Sequence, residues 1–207
     1  GRRTLYIHHT LGNVYERLGR YDHGATALAS FINLLPKGLS DSRAAWAAAE
    51  LNFLTSFGNK MPYEFASNPD QVYTLPFRLE NEKIIIQGRV NGSRPIDFIV
   101  DTGAELSTIS RATGERQNVT PITYTVSAGV GEVGLRGLQL GRIDKLEFGA
   151  LKVKHVPCII KSPALQDLPL PEGESFSPLA MGLSLTVDYA RRVMTLAKRL
   201  PEGGPAD

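Results

Sequence analysis

The chain holds a single cysteine, Cys158, among 207 residues. One thiol can form no internal disulfide and no cysteine-based metal site. It lies in the apolar run Val156-Pro157-Cys158-Ile159-Ile160, which suits a buried structural thiol better than a nucleophile. Charge of either sign is not in excess: 23 Lys and Arg against 21 Asp and Glu leave a net +2. That balance gives no reason to expect nucleic acid or an anionic membrane as partner. No apolar run is long enough to span a bilayer. There is no Gly-x-Ser-x-Gly elbow, no phosphate loop and no Cys-x-x-Cys pair. Histidines are few. His8, His9 and His23 fall in one helical stretch and His155 stands alone. Neighbours on a helix point about 100° apart, so His8 and His9 do not readily share a metal. Neither a metal nor a cofactor is expected.

What is present is close to an average soluble protein, with 42% hydrophobic and 21% charged residues. The length suits one ordinary domain or two small ones. Residues 1–57 read as helical. Leu11-Gly12, Tyr15, Gly19, Gly24, Leu28 and Pro36 follow the spacing of a tetratricopeptide (TPR) repeat, an antiparallel helix pair. Gly12 would let the helices approach, Tyr15 and Leu18 would fill the space between them, and Pro36 would stop the second. A further alanine-rich helix is expected over residues 42–57, capped by Ser40 or Asp41 and closed by Gly58. So few repeats rarely stand alone. The segment is either a groove for a protein partner or plain helical packing.

Residues 58–70 have the composition of a linker. From residue 71 to about 200 the period is that of strands. Expected strands are residues 72–77, 83–90, 95–100, 122–126, 138–143 and a stretch from 145 to 160 turned at Gly149-Ala150. Asn91-Gly92 is a hairpin turn. Pro157 should sit at an edge or bulge. Residues 162–178 read as a long loop, residues 183–189 and 193–196 as a closing hairpin, and residues 201–207 as a disordered tail.

The strand-like run Phe98-Ile99-Val100 ends at Asp101-Thr102-Gly103-Ala104. Three apolar residues followed by a carboxylate, a hydroxyl and a glycine describe a buried strand leaving a sheet at a sharp turn. Gly103 would allow a backbone conformation closed to other residues. Glu105 to Ser110 then alternates like a second strand. Gly129-Val130-Gly131-Glu132-Val133-Gly134 spells Gly-x-Gly-x-x-Gly, but strand-like residues follow it and no βαβ pattern surrounds it, so it is no dinucleotide fingerprint.

The Asp-Thr-Gly-Ala turn, the Gly88-Arg89-Val90-Asn91-Gly92 hairpin that leads into it and the closing Val187-Asp188-Tyr189 hairpin resemble the bacterial retropepsin-like aspartic proteases. The resemblance implies a mainly β, single-lobe acid-protease barrel preceded by the small TPR-like helical segment. It implies an aspartic endopeptidase with Asp101 as catalyst, supported by Thr102, Gly103 and Ala104. Peptide hydrolysis of this kind needs two carboxylates that share a proton, and no second Asp-Thr/Ser-Gly is present. The partner carboxylate is therefore expected from Asp101 of a second copy, in a homodimer acting on a protein or peptide. The resemblance also places a flap over bound peptide at Gly129, Val130, Gly131, Glu132, Val133 and Gly134. An ordinary loose hairpin is the other reading of that segment. Relatives with this layout point to a bacterial, exported protein.

The family's hydrophobic-hydrophobic-Gly motif has two placements here. One is Leu179-Ala180-Met181-Gly182. The other counts back from Asp188, which puts residues 177–182 in a short helix and Phe176 where glycine is expected. A catalytically silent binding or assembly protein, using the TPR-like helices, is the alternative to the enzyme.

Overall fold

The computed structural model describes residues 2–36, 42–127, 136–161 and 173–199. Three helices come first: α1 (Arg2–Arg17), α2 (Tyr21–Leu34) and α3 (Ser42–Thr55). Small residues set their spacing. A Cβ added at Gly12 would lie 2.7 Å from Leu28 Cδ2, and one at Gly24 3.0 Å from Leu54 Cδ1. Each glycine is thus the hollow that receives a leucine of the next helix. Tyr21, Phe31, Phe53 and Phe57 fill the space between helices, with Tyr21 and Phe57 edge to face at 4.8 Å. Leu18, expected in that space, is 65% exposed instead. It sits past the end of α1, just before the left-handed turn at Gly19 (φ 69°), and so leaves the packed face. Pro36 follows the end of α2 as expected. Ser40 and Asp41, the expected caps of α3, lie outside the described residues.

The rest is built of strands: β1 (Glu64–Phe65), β2 (Tyr73–Pro76), β3 (Arg78–Glu80), β4 (Lys83–Val90), β5 (Ile96–Val100), β6 (Ser107–Ser110), β7 (Thr120–Ser127), β8 (Arg136–Phe148), β9 (Leu151–Lys161), β10 (Glu174–Phe176), β11 (Ser184–Asp188) and β12 (Val193–Ala197). A six-residue helix, α4 (Arg111–Arg116), and a 3-10 turn, Leu179–Met181, interrupt them. Strands β9, β6, β10, β5, β4 and β8 pair in that order, and β8 pairs back to β9. This closes a six-stranded mixed barrel, with parallel pairs at β10–β5 and β6–β9. The mainly β single-lobe barrel behind a helical segment is therefore present. A separate three-stranded sheet, β11-β12-β2, completes the fold.

Alternation explains which faces are inside. Along β4, Ile86, Gly88 and Val90 are buried while Gln87 and Arg89 are exposed. The barrel interior holds Phe98, Phe148 and Phe176, each at most 1% exposed. Phe148 and Phe176 centroids lie 4.1 Å apart. Fully burying such a ring is worth about 1.5–3 kcal/mol.

Several elements differ from expectation. β8 runs unbroken through Asp144, so residues 138–143 and 145–148 are one strand, which β9 pairs along its length. β1, β3 and α4 are too short to show a period. β3 joins β4 through Asn81 and Glu82, both left-handed (φ 47° and 62°), as a two-residue hairpin turn requires. α4 begins at Ser110, whose hydroxyl accepts the Thr113 N–H at 3.1 Å. Within residues 58–70, β1 pairs with β9. Pro157 lies where one edge of β9 changes partner from β1 to β6, so no ladder needs an N–H from it on that side.

The helical segment rests on the barrel. Leu140, Leu106, Ile122 and Ile159 share its core. Arg142 of β8 donates to the Ser56 carbonyl at 3.0 Å and lies 5.4 Å from the Phe57 ring centroid.

Candidate active site

β5 delivers Asp101 to the barrel surface. Its neighbours Thr102 and Gly103 are exposed with it, and Ala104 is half-buried. The Asp101 N–H donates to the Phe176 carbonyl at 2.9 Å. Asp101 Oδ1 accepts the Gly103 N–H at 3.0 Å, which turns the chain back on itself and fixes the carboxylate over the turn. The Thr102 hydroxyl has no hydrogen-bond partner among the described residues and faces outward.

Behind the turn, β10 lies between the strand that enters it and the strand that leaves it. Ser175 pairs with Ile99 on one side and with Thr108 on the other. β5 and β6 therefore cannot pair with each other, and the turn between them is held open as a broad loop. Two serines fasten the arrangement. The Ser177 hydroxyl donates to the Ala104 carbonyl at 2.5 Å, and the Ser177 N–H donates to Ser107 Oγ at 3.0 Å. Both serines are at most 1% exposed. Glu174 adds a tie by accepting from the Ser110 hydroxyl at 2.8 Å.

Sequence reasoning did not single out Ser107, Ser175 or Ser177. The available signal was the count back from Asp188. The structure has the elements of that count: a strand ending at Phe176, then a short 3-10 turn at Leu179–Met181. Leu179-Ala180-Met181-Gly182 is that turn and not the strand behind the Asp101 turn.

Gly103 departs from expectation in a useful way. It is not among the glycines with positive φ. A Cβ placed on it would meet only Asp101 Oδ1, at an ordinary 3.6 Å. The folded chain by itself does not require glycine there.

Gly129, Val130, Gly131, Glu132, Val133 and Gly134, expected as flap, lie outside the described residues. Their flanks, β7 and β8, pair antiparallel as far as Ser127 and Arg136.

Among the described residues, no group of three or more His, Cys, Asp or Glu is placed to hold a metal. His155 Nδ1 lies 3.3 Å from the Met61 carbonyl and 3.4 Å from a Glu64 oxygen, and His9 packs on Phe31 and Trp46. Cys158 is fully buried, and burial pushes its thiol up to about 12. It stays protonated and unreactive. No helix among the described residues is long and apolar enough to cross a membrane.

Comparison with known proteins finds two similarities. Residues 86–184 match a family model described as aspartyl protease. Among solved structures, the chain is similar to a retropepsin-like aspartic protease from Rickettsia conorii, at 15% identity and a TM-score of 0.46, over 65% of this chain and 95% of that one. No curated protein matches. The matched segment contains the Asp101 turn, both strands that flank it and the strand inserted behind it. Over residues 86–184 the chain is thus similar to aspartyl proteases.

Proposed function

We propose that the protein is an aspartic endopeptidase whose active site forms between two copies, each contributing Asp101. The observation that carries this is the Asp101 turn itself: one exposed carboxylate, braced from behind by β10 and fixed by its own main chain. In the dimer, two such carboxylates hold one proton between them. The ionised one takes a proton from the attacking water, and the protonated one donates to the carbonyl oxygen of the scissile bond. A two-fold axis through the turns meets the need for a second acid. Thr102, with its hydroxyl unused among the described residues, stiffens the pair across that axis. Gly103 leaves room for water and for the partner backbone. The residues between β7 and β8 cover bound peptide as a flap, and the helices serve as a TPR-like recruiting surface.

A second reading is a silent assembly protein. It is favoured by Phe176, which stands where the count from Asp188 expects glycine in the family. A peptide-library digest read by mass spectrometry separates the two. Cleavage by the full chain, abolished by Asp101→Asn, supports the enzyme. No cleavage across the acid to neutral range supports the second reading.

A further inference from the structure

A cavity of about 630 Å³ lies between the helical segment and the barrel, beside the Asp101 turn. Its volume falls within the roughly 300–1,000 Å³ typical of ligand sites. One wall is Ala104, Glu105 and Leu106, the residues that immediately follow the turn. Glu16 of α1 and Glu50 of α3 also line it. Glu50 is only 6% exposed. Its interacting neighbour is Glu16, and among the described residues no cation offsets that repulsion at Glu50. Arg17 lines the same cavity, where its charge partly offsets the effect of burial on Glu16, and its guanidinium pairs with exposed Glu105 at 3.1 Å.

A buried acid without a counter-charge is expensive, and proteins keep one mainly when paired or in use. Here the acids manage by sharing a proton. Burial raises both carboxyls, Glu50 to about 8. A second, independent feature points the same way. Tyr21 is 93% buried by its 7% exposure and lines the cavity, yet its hydroxyl has no hydrogen-bond partner among the described residues. Burial and the nearby charges of Tyr63, Glu16 and Glu50 raise its pKa well above the ordinary value. Tyr21 thus lines the same cavity as the two acids. The remaining wall is apolar and aromatic, with Trp46, Phe53 and Leu140.

We infer that this cavity is a binding pocket for a basic side chain of a peptide, most suitably arginine. The aliphatic stem lies on the apolar wall, Glu16 and Glu50 take the planar guanidinium, and the Tyr21 hydroxyl completes its hydrogen bonds. Binding displaces the shared proton to solvent. Two carboxylates without a third ligating group suit a guanidinium better than a metal ion. As a specificity pocket beside Asp101 the site rests on the protease reading, but the cation-binding itself does not.

Calorimetric titration of the full chain with Nα-acetyl-arginine methylamide, against its uncharged citrulline isostere, tests it. The arginine compound should bind at least about tenfold more tightly, which is about 1.4 kcal/mol. Glu50→Gln should bring it down to the citrulline level, and Tyr21→Phe should weaken it while leaving citrulline unchanged. Equal affinities, no heat from either compound, full competition by calcium alone, or unaltered arginine preference in folded Glu50→Gln would each overturn the inference. If Glu50→Gln does not fold by circular dichroism, Tyr21→Phe and the arginine–citrulline comparison on the unaltered chain decide. These outcomes leave the library digest untouched, so failure of the pocket and failure of the protease reading are told apart.

Discussion

The buried N–H of Ser177 donates to the hydroxyl oxygen of Ser107 at 3.0 Å, which ties the strand behind the Asp101 turn to the strand that leaves it. Ser107→Ala removes that acceptor and leaves a buried N–H without a partner. The expected cost is about 1–3 kcal/mol. Thermal unfolding followed by circular dichroism measures it, and a melting temperature unchanged from the parent would show that water or another group replaces Ser107.

Gly103 offers a sharper separation of folding from function. Its backbone is not left-handed and a Cβ there meets nothing closer than 3.6 Å. Gly103→Ala should therefore be as stable as the parent, or up to about 1 kcal/mol more so, because alanine restricts the unfolded chain. Cleavage should nevertheless be lost, since the methyl occupies the space assigned to water and the partner turn. Urea unfolding beside the peptide digest reads both. Full activity in this variant would contradict the dimeric site.

Subunit mixing tests the shared carboxylates. Co-refolding equal amounts of parent and Asp101→Asn chains should leave about one quarter of the activity of the same total amount of parent, because mixed dimers carry only one acid. Activity at one half would mean that each chain works alone.

Glu50 makes stability depend on pH. Its carboxyl, raised mainly by burial and then by Glu16, holds its proton to about 8 when folded and loses it near 4.5 when unfolded. Between those values the folded form binds more protons, so stability falls as pH rises, is fullest below the unfolded value and levels off above about 8. The loss is on the order of a few kcal/mol. Glu50→Gln should flatten most of that decline and be the more stable form at pH 8 and above. Parallel pH–melting curves for both proteins check it.

Arg142 joins the two parts of the chain. It is 9% exposed, caps the end of α3 through the Ser56 carbonyl and leaves its Nε without a hydrogen bond. Arg142→Ala should loosen the helical segment and speed limited proteolysis within residues 58–70, with the barrel fragment surviving. An unchanged cleavage rate would show that Leu140, Leu106, Ile122 and Ile159 hold the segment without it.

Local sequence carried much of this. The hairpin at Asn91-Gly92 was readable because two residues fix its geometry: Asn91 and Gly92 are both left-handed, at φ 49° and 80°. The Asp101 turn was readable because an apolar strand ends abruptly at residues suited to turning. β1, β3 and α4 were not, since a segment of two to six residues is shorter than the period that would reveal it. β10 was hidden for a different reason. Glu174-Ser175-Phe176 has no marked strand character, and its place is set by partners some 70 residues away.

The order of residues thus determined one carboxylate at the end of a buried strand, the helices ahead of it and the hairpins around it, all consequences of neighbouring side chains. Tertiary structure alone decided that β10 would hold the turn open, that Gly103 is not needed by its own backbone, and that Glu16 and Glu50 would line one cavity with the residues that follow the turn. Those depend on contacts between residues far apart in the chain, where periodicity and turn chemistry carry no information.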